Sequence, residues 1–200
     1  MGLIEKIAKT LSPSHLIWEG DKTNKAIYLT FDDGPTPQLC EKILEILKQK
    51  NVKANFFLVG ENVKKHPELF QKIIAQGHCV GNHTYNHLKG WKNSWFNYTK
   101  NTLKASQLID SNLFRPPYGK IKTSQIRVLK KRFCIVMWSV LTYDFDKTVS
   151  KEKCLKNALK AKPGSIVVFH DNIKATENML YALPKFIDHY LEKGYKFMVL

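Results

Sequence analysis

Few features of this chain offer an easy handle, and the missing ones exclude several classes of function. Four cysteines are present, Cys40, Cys79, Cys134 and Cys154, far apart and with no CxxC pair. That excludes a disulfide framework, and Cys40, Cys79 and Cys134 lie in apolar segments that read as sites of buried free thiols. Arginine is scarce: only Arg115, Arg127 and Arg132 occur among 32 basic residues, against 17 acidic ones. The net charge of +15 is therefore carried almost entirely by lysine. Such a surface suits an anionic polymer or membrane surface, but phosphate and base recognition favour the planar guanidinium fork. The lysines are scattered as KQK, VKK, LKK and KEK, with no basic stripe carrying interleaved aromatics, so no nucleic-acid partner is expected.

No apolar run is long enough to span a bilayer. The start, MGLIEKIAKTLSPSHLIW, has neither a continuous apolar h-region nor a cleavage signature. The expected location is cytoplasmic, with non-classical export or peripheral association with the cell envelope as alternatives. Leu3, Ile4, Ile7 and Leu11 make the start weakly amphipathic, and residues 1–24 are expected to pack as an extension on the domain. Repeats, low-complexity tracts and linkers are all missing, which points to one domain, residues 25–200, and a monomer.

What is present is a globular composition: 200 residues, 44% hydrophobic and 12% aromatic. Apolar runs alternate with amphipathic ones. Strands are expected at 26–31, 54–60, 78–83, within LFRPPYG, at 133–140, at 165–170 and in the closing YKFMVL. Helices are expected between them. Pro67 should restart one, Ser94 should cap another, and Pro184 should interrupt the last. About seven strands alternating with helices describe an α/β fold with a parallel sheet, and an open doubly wound sheet and a barrel both fit.

Polar groups recur at the ends of these strands. Asp32 and Asp33 sit in TFDDGP, His83 and His87 in HTYNH, Arg115 in FRPPYG, and His170 ends VVFH. In parallel α/β folds the C-terminal strand ends share one face, so these groups should converge there. Two histidines at i and i+4 on a helical turn can chelate one metal ion, and Asp33 or Asp32 can supply the third ligand. A nearby cation would also explain two adjacent acids, since one carboxylate binds it and the other stays ionised beside it. Arg115 can pair with that second carboxylate. His170 is a candidate general acid or base, with Asp144 of TYDFD able to orient it. His15, His66, His78 and His189 read as structural. Trp91, Trp95, Phe96 and Tyr98 are expected mainly to pack a helix, with a sugar-stacking role for one of them as the alternative.

Taken together, TFDDGP (30–35), HTYNH (83–87), RPPYG (115–119), WSVLTYDF (138–145) and IVVFHD (166–171) resemble the ordered motifs of the polysaccharide deacetylase family, the carbohydrate esterase family 4 with the NodB homology domain. The likeness runs from about Lys25 to Leu200. It implies a deformed (β/α) barrel of about seven parallel strands. It also implies a metal-dependent hydrolase that removes N-acetyl groups from N-acetylglucosamine-type residues of a polysaccharide such as peptidoglycan or a chitin-like glycan. An O-acetyl esterase acting on a glycan such as acetylxylan, or a catalytically silent glycan-binding relative, are the alternatives. The resemblance assigns Asp33, His83 and His87 to one divalent metal ion, zinc first, with cobalt, nickel or iron as alternatives. Asp32 becomes the general base tethered by Arg115, and His170 the general acid oriented by Asp144. The backbone N–H of Tyr118 becomes an oxyanion donor, and Pro117, Tyr118, Phe145 and Val168 become substrate contacts. Two positions depart from the family pattern: many members have Asp where Leu141 stands and Trp where Phe145 stands.

Overall fold

Strand β2 (Ala26–Asp32) is buried along its whole length. An apolar run of this kind belongs inside a parallel sheet covered on both faces. In the computed structural model, which describes residues 16–200, β2 lies between β3 (Asn55–Leu58) and β8 (Ser165–His170). Around them run β1 (Leu16–Ile17), β4 (Cys79–Asn82), β5 (Leu113–Phe114), β6 (Cys134–Val136), β7 (Val140–Leu141) and β9 (Lys196–Phe197). The order is β1-β6-β5-β4-β3-β2-β8-β7, with β9 beside the start of β2, and each of these pairings is parallel.

Nine strands thus stand among the described residues where about seven were expected, for two reasons. Leu16–Ile17, expected to belong to a packed extension, pairs with β6 as a strand of the sheet. The run 133–140 is not one strand but two. Its first half pairs with β5 and β1, then the chain bends, and its second half pairs with β8. One continuous segment therefore stands near both ends of the strand order, and the sheet curls into a deformed barrel. Leu3, Ile4, Ile7 and Leu11 lie outside the described residues.

Alternation along β2 decides what faces where. Ile27, Leu29 and Phe31 pack in the main core with α1 (Leu39–Gln49), α3 (Pro67–Ala75) and α7 (Thr176–Glu192). Tyr28 turns to the other face, with Phe57, Val136 and Ile166. Thr30 and Asp32 share that parity, so the acid that ends β2 is delivered into the barrel mouth.

Three helical expectations meet the structure differently. Pro67 does restart the chain, separating α2 (Gly60–Lys65) from α3. Ser94 caps α4 (Trp95–Ser106), its side chain accepting from the Asn97 N–H. Pro184, however, does not interrupt α7, which runs through it from Thr176 to Glu192. Pro184 removes one backbone donor, but Met179, Leu183, Phe186, Ile187 and Tyr190 bury one face of the helix and hold it together. The thiols also differ from expectation. Cys40 is buried, Cys79 is half-buried and Cys134 is exposed, because Cys134 opens β6 before the strand enters the core. No helix among the described residues is long and apolar enough to cross a membrane.

Candidate active site

The C-terminal strand ends gather the polar groups. In the sheet register Asp32 stands opposite His170, and Asn82 stands opposite Phe114. His83 and Arg115 each follow one of those last two residues. The result is one groove of about 760 Å³ that reaches Asp32, Asp33, His83, His87 and His170.

Asp33 leaves β2 with φ 81°. Its Oδ1 lies 3.5 Å from His83 Nε2 and 3.1 Å from His87 Nε2. The three ligand atoms fall within 4.8 Å of one another, a spacing at which one ion could be shared. Neighbours orient this set. His83 Nδ1 is 2.8 Å from the Arg115 carbonyl oxygen, which can only accept, so the proton belongs on Nδ1 and the Nε2 lone pair faces Asp33. Asn172 Nδ2 donates to Asp33 Oδ2 at 2.6 Å, and Asn62 Nδ2 donates to the Asp33 carbonyl at 2.8 Å. A carboxylate and two neutral imidazoles suit a divalent metal that keeps open positions. The histidines meet by a route other than the expected helical turn. Residues 83–87 form a loop in which Thr84 (φ 65°) and His87 (φ 57°) take left-handed conformations.

Asp32 points the other way. Its Oδ1 accepts from Arg115 Nη1 at 2.7 Å, and the arginine is fully buried. Arg115 is held on several sides. Nη1 donates also to Thr30 Oγ1 at 2.7 Å, Nη2 donates to the Met137 carbonyl at 3.0 Å, and the guanidinium carbon lies 4.1 Å from the Phe57 ring centroid. Burial lowers the Arg115 pKa, and Asp32 opposes that shift.

Asp144 holds His170 at two points. Its Oδ1 is 2.7 Å from Nδ1, and its Oδ2 accepts the backbone N–H at 2.7 Å. Burial alone would lower the His170 pKa, but the Asp144 carboxylate, helped by Asp33 and Asp32, raises it to about 9. His170 is therefore an imidazolium at neutral pH, with Nε2 left to the groove.

Sequence comparison agrees with this geometry. The polysaccharide deacetylase family model matches residues 19–132. A peptidoglycan-N-acetylglucosamine deacetylase of Bacillus cereus is 38% identical over 187 residues, covering 88% of this chain and 68% of that protein. The chain belongs to the polysaccharide deacetylase family. Among solved structures, the Bc1960 peptidoglycan N-acetylglucosamine deacetylase has a TM-score of 0.86 at 35% identity, covering 94% of this chain and 95% of that one. A protein described as a CE4 family pseudoenzyme, from Bacillus anthracis, has a TM-score of 0.81 at 28% identity, covering 94% of this chain and 68% of that one. The fold of this family therefore does not by itself decide activity.

The remaining positions drawn from the family pattern divide. Val168, Tyr118 and Phe145 line the groove, as does Leu141. The Tyr118 ring lies tilted at 59° against His87, with centroids 4.6 Å apart, and the Phe145 ring meets His170 edge-on at 4.7 Å. Tyr118 has φ 61°, and the turn around it uses the N–H groups of Gly119 and Lys120 internally. Pro117, expected as a substrate contact, is buried and supports that turn without lining the groove. The aromatic cluster after HTYNH does not pack as expected either. Only Tyr98 is buried, while Trp91, Trp95 and Phe96 are each more than half exposed, because their faces of the loop and helix point away from the core.

Sequence reasoning missed four supports in this polysaccharide deacetylase site: Thr30, Asn62, Asn172 and Asp171. Asp171 is fully buried, and its pKa is pushed up to about 7, chiefly by burial. Its Oδ2 accepts from the Thr36 N–H at 3.3 Å, and its own N–H donates to the Asp32 carbonyl at 2.8 Å, so it clamps the loop that carries Asp33. A Cβ on Gly34 would collide with that carboxylate, which explains the glycine of DDGP. The acid that closes IVVFHD was the available signal for Asp171.

Proposed function

We propose that this protein removes N-acetyl groups from N-acetylglucosamine residues of peptidoglycan, using a zinc ion held by Asp33, His83 and His87. The observation that carries this reading is the placing of two separately braced acid–base groups, Asp32 and His170, in one groove with that ligand set. The relatives named above supply the substrate class. When bound, the ion would supply Lewis acidity, polarising the amide carbonyl and acidifying water. Asp32, held by Arg115, takes a proton from the attacking water. The Tyr118 N–H donates to the oxyanion that develops on the former carbonyl oxygen. An amine leaves only once protonated, and His170 gives its Nε2 proton to that nitrogen. Acetate and a free amino sugar result. Val168 and Leu141 offer an apolar seat for the acetyl methyl, with Phe145 as a side wall.

The test is acetate release from peptidoglycan, chitooligosaccharides and acetylxylan by metal-stripped protein, with zinc, cobalt, nickel or iron(II) restored singly. Release is expected from peptidoglycan, with zinc. Release from acetylxylan alone would replace this reading by an esterase, and glycan binding with no release under any metal would make the chain catalytically silent. Asp32→Asn should retain zinc yet lose about 10²–10⁴-fold in rate, the usual contribution of a general base. Full activity in that variant would remove Asp32 from the role.

A further inference from the structure

The positive charge is uneven along the chain. From Leu69 to Tyr143 the only acid is Asp110, against nine lysines and three arginines, a net +11 within the chain's +15. The exposed aromatics fall in the same stretch: Trp91 is 57% exposed, Trp95 51% and Phe96 58%. Although the lysines look scattered in sequence, the fold sets Lys120 against one of these rings and the helix itself sets two more beside the others. Lys120 Nζ lies 4.9 Å from the Trp91 ring centroid, and Trp91 Nε1 donates to the Ile121 carbonyl at 3.3 Å. On α4, Trp95, Phe96 and Leu103 border an open groove of about 650 Å³ flanked by Lys100 and Lys104.

We infer that this face of α4 and the preceding loop docks on an anionic lipid bilayer surface, with Trp91, Trp95 and Phe96 entering the interface and Lys92, Lys100 and Lys104 meeting headgroups. Three observations select this occupant. Charge complementarity demands an anionic partner, since residues 88–107 contain no acid. The basic groups on this face are lysines, which act on a charged surface as point charges rather than as a recognition fork. Finally, the aromatic surface is not a platform. Trp95 and Phe96 meet edge-to-face at 85°, with centroids 5.9 Å apart, so the two rings form no shared plane. Indole and phenyl groups projecting among lysines are instead the composition of an interfacial anchor. The position suits a surface-bound substrate. Lys120 borders both this face and the catalytic groove, and Lys89 Nζ lies 5.5 Å from the Tyr118 ring centroid.

The test is co-sedimentation of the full chain with phosphatidylglycerol–phosphatidylcholine vesicles and with pure phosphatidylcholine vesicles. Binding is expected only to the anionic vesicles, weakening as salt rises. The exposed pair Trp95→Ser/Phe96→Ser and the pair Lys100→Glu/Lys104→Glu should each lower vesicle affinity by about tenfold or more while leaving acetate release from soluble oligosaccharide unchanged. Circular dichroism and thermal melting would establish that both variants fold, and a single Trp91→Ser change gives an independent reading if one pair does not. Four results would overturn the inference. They are equal binding to both vesicle types, vesicle binding unchanged in the folded variants, tight binding to a soluble anionic glycopolymer but not to vesicles, and a dimer in solution that the aromatic pair abolishes.

Discussion

The floor and the wall of the groove are built on different principles. The floor consists of Asp32, His83 and Arg115, which are 4%, 2% and 0% exposed, together with Asp33. Each floor group is fixed by backbone carbonyls, by an amide or by an opposite charge. The wall consists of Leu141, at the end of β7, and of Phe145 and Tyr118, which ring contacts and loop turns hold at the margin of solvent. Both departures from the family pattern, Leu141 and Phe145, fall on the wall. The difference has a physical basis. A buried charge requires its partner, so changing one floor group strands another, whereas an apolar wall residue can change size with only local repacking.

This contrast can be broken or sharpened experimentally. The largest effect is expected for Asp33→Ala, which removes the only carboxylate of the ligand set. Zinc binding by calorimetry should vanish, and acetate release should fall to background. Arg115→Met should come next, leaving Asp32 buried without a partner. The expected loss is about 3–5 kcal/mol of folding stability by urea titration. A change under 1 kcal/mol would mean that the floor is not the interdependent network described above.

Asp144→Asn tests the link between the two sides. The folded pKa of His170, about 9, lies above its ordinary value of 6.5. The stabilisation from its charged pair is thus fully present below about pH 6.5 and fades as pH rises through about 9. Activity should also fall over that alkaline range, because in the proposed reaction the leaving nitrogen takes its proton from this ring. With a neutral amide at 144, the His170 pKa drops and the alkaline limb of the rate profile moves to lower pH. An unmoved limb would separate His170 from the acid role. The smallest effect belongs to the wall. Phe145→Trp should change KM for oligosaccharide a few-fold and leave kcat and stability nearly untouched.

Much of the floor was legible in the sequence because strand ends in a parallel fold share one face, so TFDD, NH, FR and VVFH had to converge. The supports were not legible. Nothing in the sequence assigns Asn172 to Asp33, or Thr30 to Arg115, since these bonds join residues 139 and 85 positions apart. Three local expectations failed for related reasons. Pro184 was tolerated because its helix is held by burial, the run 133–140 bent to serve two sheet neighbours, and the histidines of HTYNH met through left-handed loop residues.

The sequence by itself determined the alternation of strands and helices, the parity that sends Phe31 to the helices and Asp32 to the barrel mouth, and the residue types available for chemistry. Those are consequences of local periodicity and of burial. Only the tertiary structure decided which partner each charge received, how the barrel closed through residues 134–141, and that Lys120 came to lie over Trp91. Those depend on contacts between segments far apart in the chain, and no local rule carries that information.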